Sequence, residues 1–350
     1  AIPGCFLILR QVAMMSDAIS HSVLLGIVLM FFWVKDIHSP WLMIGASLSG
    51  ILVVALTELC IRSKKMKEDA AIGLIFPVFF SIGIILINLY AGNMHLDQDA
   101  VLLGEIAFAP FNPLVINGVS LGPIAAWIMG VIALLNVLVV KLFYKELALS
   151  TFDSQLAASM GFMPGVIHYG LMTMVSVTAV TAFDAVGAIL IVAMMIAPPA
   201  TAFLLTERLS RMLFLSVAIG CASAITGYGL AIVIDGSIAG AICTMAGVFF
   251  LLAVLFSPHH GLLKKYYTYK KQQVEFSTLL LLVQLYYHED SHKTDFENSY
   301  ENLIHHMNWS PGFSDKVIGH AISNRLITDK DKHYFLTTLG REMAKRSLVQ

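Results

Sequence analysis

The sequence predicts an all-α polytopic membrane protein of about eight or nine transmembrane helices, followed by a small α+β domain. Three observations predict it. Of the 350 residues, 57% are hydrophobic and 13% charged, and the mean hydropathy is +0.78, so the first three quarters of the chain cannot cover itself with a solvated surface. Apolar segments of about 20 residues, the length that crosses roughly 30 Å of hydrocarbon, recur at residues 12–34, 40–61, 70–91, 122–143, 165–182, 184–205, 211–234 and 238–256. After Phe256 the composition turns abruptly polar and basic.

Taken in order, residues 1–9 (AIPGCFLIL) open in mid-hydrophobic pattern without Met. They read as the end of a ninth span whose start is missing, and not as a cleaved signal peptide. The next span carries Asp17 and His21 just ahead of the unbroken apolar run 23–34. Four residues apart on a helix, the two share a face. Ionisable groups in lipid-spanning segments are costly and usually face a cavity or a partner, so this pair is the first functional candidate. Residues 101–123 mix apolar residues with Gly, Pro, Asn and Glu105, too broken for a span and expected as a half-inserted or external connection. Small residues through 184–205 permit close helix contact, and Pro198-Pro199 predicts a kink there.

Net charge is −1 and the isoelectric point about 6.9, so no global field points to nucleic acid. Local charge is more informative. Arg62, Lys64, Lys65 and Lys67, then Lys141 and Lys145, Arg208 and Arg211, and Lys264, Lys265, Lys270 and Lys271 cluster in alternate loops. The positive-inside rule puts those loops and the C-terminus in the cytoplasm, and the N-terminus outside if the ninth span is real. Cys5, Cys60, Cys221 and Cys243 lie in or beside spans without paired spacing and read as packing residues.

The expected division is a transmembrane domain over 1–263, a polar linker over 264–274 and a soluble domain over 275–350. In the last, apolar residues fall at helical spacing in 276–287, 300–307 and 317–326. An extended pair around 326–328 and 334–336, joined by Asp329-Lys330-Asp331-Lys332, precedes a closing helix from Thr338. This is a winged-helix pattern, and its wing and last helix resemble those of many bacterial winged-helix proteins. Lys316, Asn324 and Arg325, with Lys330 and Lys332 on the wing, are candidate DNA contacts. The interleaved acids Glu289, Asp290, Asp295, Glu297 and Glu301 weaken a phosphate-binding footprint, so a regulatory or protein-contact role is favoured over DNA. His288 and His292 have ligand spacing and are candidates for a regulatory metal site, against the plainer reading of scattered surface histidines.

Several motifs together resemble the permease subunit of bacterial zinc, manganese or iron ABC importers. Residues 9–27 (LRQVAMMSDAISHSVLLGI) resemble that family's Asp-Ala-(Ile/Leu)-Ser-His signature, with Ser16 where Gly is usual and Leu25 where Pro is usual. Residues 68–86 (EDAAIGLIFPVFFSIGIIL), 186–202 (VGAILIVAMMIAPPATA) and 257–263 (SPHHGLL) match in the family's order. Residues 152–162 (FDSQLAASMGF) resemble the segment that couples to the ATPase, with Ser154 replacing Pro. The resemblance implies metal ligation by Asp17 and His21. It implies ATPase coupling through Phe152, Asp153, Gln155, Leu156, Ala157 and Gly161. The implied partners are a cytoplasmic ABC ATPase, an extracytoplasmic metal-binding protein and a second copy or homologous permease.

Physical chemistry agrees in part. Carboxylate oxygen with imidazole nitrogen suits Zn, Mn or Fe divalent cations, but two ligands are too few to strip a hydrated ion. A dimer with these helices at its axis supplies four. No Gly-x-x-x-x-Gly-Lys-Ser/Thr loop occurs, so ATP hydrolysis falls to a separate subunit and the chain is no enzyme. The residues alone leave other readings open: a helix cap and a backbone-bonded imidazole, a proton relay in a secondary transporter, or a membrane-tethered metal-responsive regulator. Glu58 is expected to pair with Arg62 at four-residue spacing. Asn88, Glu105, His168 and Asp184 could line the path or act as caps, and His38, His95, Asp97 and Asp99 are expected in external loops.

Overall fold

The structure is a computed structural model that describes residues 1–36, 39, 41–63, 66–90, 106–116, 119–258, 261–289 and 299–349. It divides into two compact units, Ala1–Gly261 and Leu262–Gln350.

The first unit opens with a short helix α1 (Ile2–Leu9), followed by α2 (Met14–Val34), α3 (Trp41–Arg62) and α4 (Glu68–Tyr90). Residues 106–116 and 119–123 form a 3-10 turn (Ile106–Phe111) and an antiparallel pair of strands, β1 (Pro113–Ile116) and β2 (Val119–Pro123). The broken composition of that stretch thus folds as short hydrogen-bonded pieces, with the Trp127 indole N–H donating to Leu121 O at 3.0 Å. Then come α5 (Ile124–Leu142), α6 (Tyr144–Phe152), α7 (Ser154–Ser159), α8 (Pro164–Leu205), α9 (Leu209–Ile234) and α10 (Ile238–Phe256). Eight segments among the described residues are long and apolar enough to cross a membrane, two of them within α8.

The 42 residues of α8 would extend about 63 Å as one straight helix, twice the hydrocarbon thickness. They do not run straight. Met172 and Met195 share one buried cluster with Ile19 of α2, Val53 of α3 and Phe79 of α4, so the chain reverses midway. Gly187 makes the reversal at φ 77°, ψ 163°, a conformation essentially confined to glycine. The reversal lies beside the boundary that the sequence places between the spans 165–182 and 184–205, and Pro198 and Pro199, where the sequence predicts a kink, stay within the helix. They lack the N–H groups that would bind the Met194 and Met195 carbonyls, and α1 closes over that position, with Gly4 facing the Met195 carbonyl.

Around this core the helices touch through small residues. A Cβ on Gly26 of α2 would stand 2.7 Å from the Gly45 carbonyl carbon of α3. Ser49 Oγ lies 2.8 Å from both Ser22 O and Ala46 O, linking the same two helices.

In the second unit, α11 (Leu262–His288) includes residues 264–274, so the expected linker is helical. Then follow α12 (Tyr300–Met307), α13 (Pro311–Ser323), the antiparallel pair β3 (Ile327–Lys330) and β4 (His333–Leu336), and α14 (Thr338–Val349). Asp331 and Lys332, at φ 51° and 62°, make the two-residue turn that suits a twisted hairpin. Leu281, Leu282 and Leu285 form the core with Leu303, Val317, Ile318, Ile327 and Tyr334.

Candidate transport site

The helix α2 places Asp17 one turn and His21 two turns from its start. Their side chains meet, with His21 Nε2 3.4 Å from Asp17 Oδ1, and each is a little over a quarter exposed. Neighbours on the opposite side of α2 are fully enclosed: Ser16, Ala18, Ile19 and Ser20 are at most 1% exposed. The pair therefore sits on a stripe of α2 that a single chain leaves partly open, continued by Met14. Serines secure the buried side. Ser16 Oγ donates to Met195 Sδ at 3.0 Å and Ser20 Oγ to Ser16 O at 2.9 Å.

Two aromatic side chains of α4 hold the imidazole. Phe76 stacks on His21 with ring centroids 5.5 Å apart and planes 26° apart, and Phe80 meets it edge-on at 5.5 Å. Their four-residue spacing puts both on the face toward α2. The sequence did not single them out, because in an apolar span every Phe looks alike. Among the described residues, no group of three or more His, Cys, Asp or Glu gathers as a metal site.

At the end of the unit where α2 begins, Glu58 pairs with Arg62 as its spacing predicts, at 2.6 Å. His168, weighed as a path residue or a cap, faces Arg10, whose Nη1 donates to His168 Nδ1 at 3.2 Å. Asn88 is exposed near the far end of α4, and Asp184 precedes the reversal at Gly187 by three residues. His38, His95, Asp97, Asp99, Glu105, Asp290, His292, Asp295 and Glu297 lie outside the described residues.

The segment 152–162 is not one helix. Phe152 ends α6, Asp153 breaks out at φ −148°, and its carboxylate accepts from Leu156 N at 2.9 Å to cap α7, the usual role of Asp at this position. Ala157 is buried and anchors α7, while Gln155 is exposed and Gly161 turns the chain at φ 88°. Phe152, Leu156, Met160 and Met163 are all exposed, an apolar row on a segment outside the spans.

In the second unit, the exposed positions of α13 include Asp315, Lys316, Gly319, Ile322 and Ser323, a mixed surface. Tyr300 Oη donates to Asp315 at 2.5 Å. Asn324 Nδ2 donates to His320 O at 2.9 Å, and Arg325, Lys330 and Lys332 are exposed. His288 lies 3.0 Å from Gln284 across one helical turn.

Eight apolar spans among the described residues define a multi-pass membrane protein. The chain belongs to the ABC 3 transport family, whose match covers residues 1–257. It is a transport permease and not a catalyst. It is 43% identical over 348 residues to the zinc transport system membrane protein TroD of Treponema pallidum, covering 99% of this chain and 95% of TroD. It is 46% identical over 262 residues to the manganese transport system membrane protein MntD of Bacillus subtilis, covering 75% of this chain and 88% of MntD. Among solved structures, PsaBC from Streptococcus pneumoniae in complex with Fab matches with a TM-score of 0.62 and 32% identity, over 76% of this chain and 89% of that one.

Proposed function

We propose that this permease belongs to an ATP-binding-cassette importer that carries a divalent transition metal, zinc, manganese or iron, into the cytoplasm, with Asp17 and His21 as its pathway ligands. The observation that carries the reading is the Asp17–His21 contact on the partly open stripe of α2. Neutral imidazole and carboxylate bind all three metals, and their identity alone does not select among them. A second copy of the chain, or a homologous permease, facing this stripe would bring the ligands to four and close the site. Phe76 and Phe80 keep the imidazole ring in place and limit water around it.

Basic residues at the ends of α3 and α5 and at the start of α9 orient those ends to the cytoplasm. The exposed apolar row on α6 and α7 then faces the side where a separate ATPase hydrolyses ATP, and Phe152, Asp153, Gln155, Leu156, Ala157 and Gly161 form the contact. The hairpin end faces an extracytoplasmic metal-binding protein. The second unit, ordered helix, helix, helix, hairpin, helix, fits a cytoplasmic winged helix. Its mixed α13 surface favours a regulatory or protein-contact role over DNA, and His288 with His292 is its candidate regulatory metal pair. The TroD match runs through this unit.

The test is ATP-dependent uptake of zinc, manganese and iron by the chain reconstituted with its ATPase and binding protein. Uptake of one metal that Asp17→Ala and His21→Ala both abolish, in complexes that still assemble, supports the reading. Uptake without ATP overturns it.

A further inference from the structure

Arg10 makes a set of contacts that metal ligation does not use. It lies in the turn between α1 and α2, and that turn is bonded into both helices. Gln11 N and Val12 N donate to Ile8 O and Leu7 O, and Met15 N and Ser16 N donate to Val12 O and Ala13 O, all at 3.0–3.2 Å. Any displacement of Arg10 is thus passed to the first turn of α2, which holds Asp17.

The guanidinium reaches both flanks of α7. Its Nε donates to Thr151 Oγ1 at 3.1 Å and its Nη2 to Ser150 Oγ at 3.2 Å, near the end of α6. Its Nη1 donates to His168 Nδ1 at 3.2 Å, just after the start of α8. Two of the partners are hydroxyls and the third is an imidazole. Among the described residues Arg10 has no carboxylate partner, so simple charge pairing does not account for the desolvation of a half-buried cation. The planar fork does: it fixes three directions at once, which a lysine cannot.

We propose that Arg10 is the positioning residue that links α7 to the ligand-bearing start of α2, so that displacement of α7 is delivered to Asp17 and His21. The inference rests on α7 being the ATPase contact. Arg10 ties the two ends of the α7 excursion to one guanidinium, and the bonded turn carries the motion onward. Without it, α7 moves and α2 does not follow.

The experiment measures metal transported per ATP hydrolysed in proteoliposomes holding the whole importer, with zinc and manganese each as the probe. Arg10→Gln, Arg10→Lys and the pair Ser150→Ala with Thr151→Val are compared. Each is expected to leave the ATPase bound and hydrolysing within about twofold, while metal moved per ATP falls about tenfold, the scale of a typical coupling free energy. Combining Arg10→Gln with the serine and threonine changes should add nothing further. Unchanged stoichiometry, a parallel fall in hydrolysis and transport, or additive losses would each overturn the link. Should Arg10→Gln fail to assemble, the Ser150 and Thr151 variants probe the same bonds from the other side and decide it. Leu156→Glu separates the two readings: if the ATPase still binds, α7 is not its contact, whereas lost binding together with an unchanged stoichiometry in the Arg10 variants defeats only the link.

Discussion

The two units of this chain sort their residues by opposite rules. The second unit buries Leu281, Leu282 and Leu285 and exposes Lys316, Asp329 and Lys330, as a water-soluble fold must. The first exposes Trp33, Leu134, Phe214 and Val233 and buries Ser16, Ser20, Ser22 and Ser49. In lipid there is no gain in hiding an apolar side chain, so small residues that allow close approach take the interior. Buried polarity is therefore no sign of function in the first unit. Asp17 and His21 are instead marked by their contact with each other on a partly open stripe of α2.

The largest effect expected from this contrast concerns carboxylates. Asp17→Ala should lower metal uptake by roughly 100-fold or more, beyond what loss of an outer-shell partner causes. Asp329→Ala, on the hairpin of the second unit, should leave uptake unchanged. Measured uptake at matched membrane levels checks both, and equal losses would break the comparison.

Glycines should respond with opposite sign. Gly26→Leu drives a side chain into the α3 backbone and should destabilise the first unit by about 3 kcal/mol or more, seen as early thermal unfolding of the full chain in detergent. Gly319 has open space around it in α13, so Gly319→Ala should stabilise the second unit by about 0.5–1 kcal/mol.

Leucines sharpen the same point. Leu282→Ala removes fully buried methyl groups and should cost about 2–5 kcal/mol, read as faster proteolysis of the second unit in the intact chain. Leu134→Ala, 68% exposed on a lipid-facing helix, should change stability by less than about 0.5 kcal/mol.

The smallest effect is on pH. The hydrogen bond to Asp315 pushes the Tyr300 phenol above its ordinary value of 10.0, and burial pushes Tyr334 the same way. Raised acids contribute stability that is fully present below their unfolded value and lost as the pH climbs through the folded one. Protease resistance of the second unit should hold to about pH 10 and fall above it, less steeply in Tyr334→Phe.

Much of the architecture was legible in the sequence, because hydropathy is a sum over neighbours in the chain. The eight spans, the polar second unit and the Glu58–Arg62 pair all follow from local spacing. So does the shared face of Asp17 and His21, since a four-residue step returns to the same side of any helix. The boundary between the spans at 165–182 and 184–205 was legible too, but not the means of the reversal beside it, which needed the positive φ of Gly187.

Only the tertiary structure decided which partners meet. Phe76 and Phe80 lie more than fifty residues from His21, and Ser150, Thr151 and His168 lie 140 to 158 residues from Arg10. Composition gives no hint of these contacts, because they depend on how each helix is rotated and shifted against its neighbours. That register is set by close approaches such as Gly26 on Gly45, and it turns a carboxylate and an imidazole on one helix into a held pair on an open stripe.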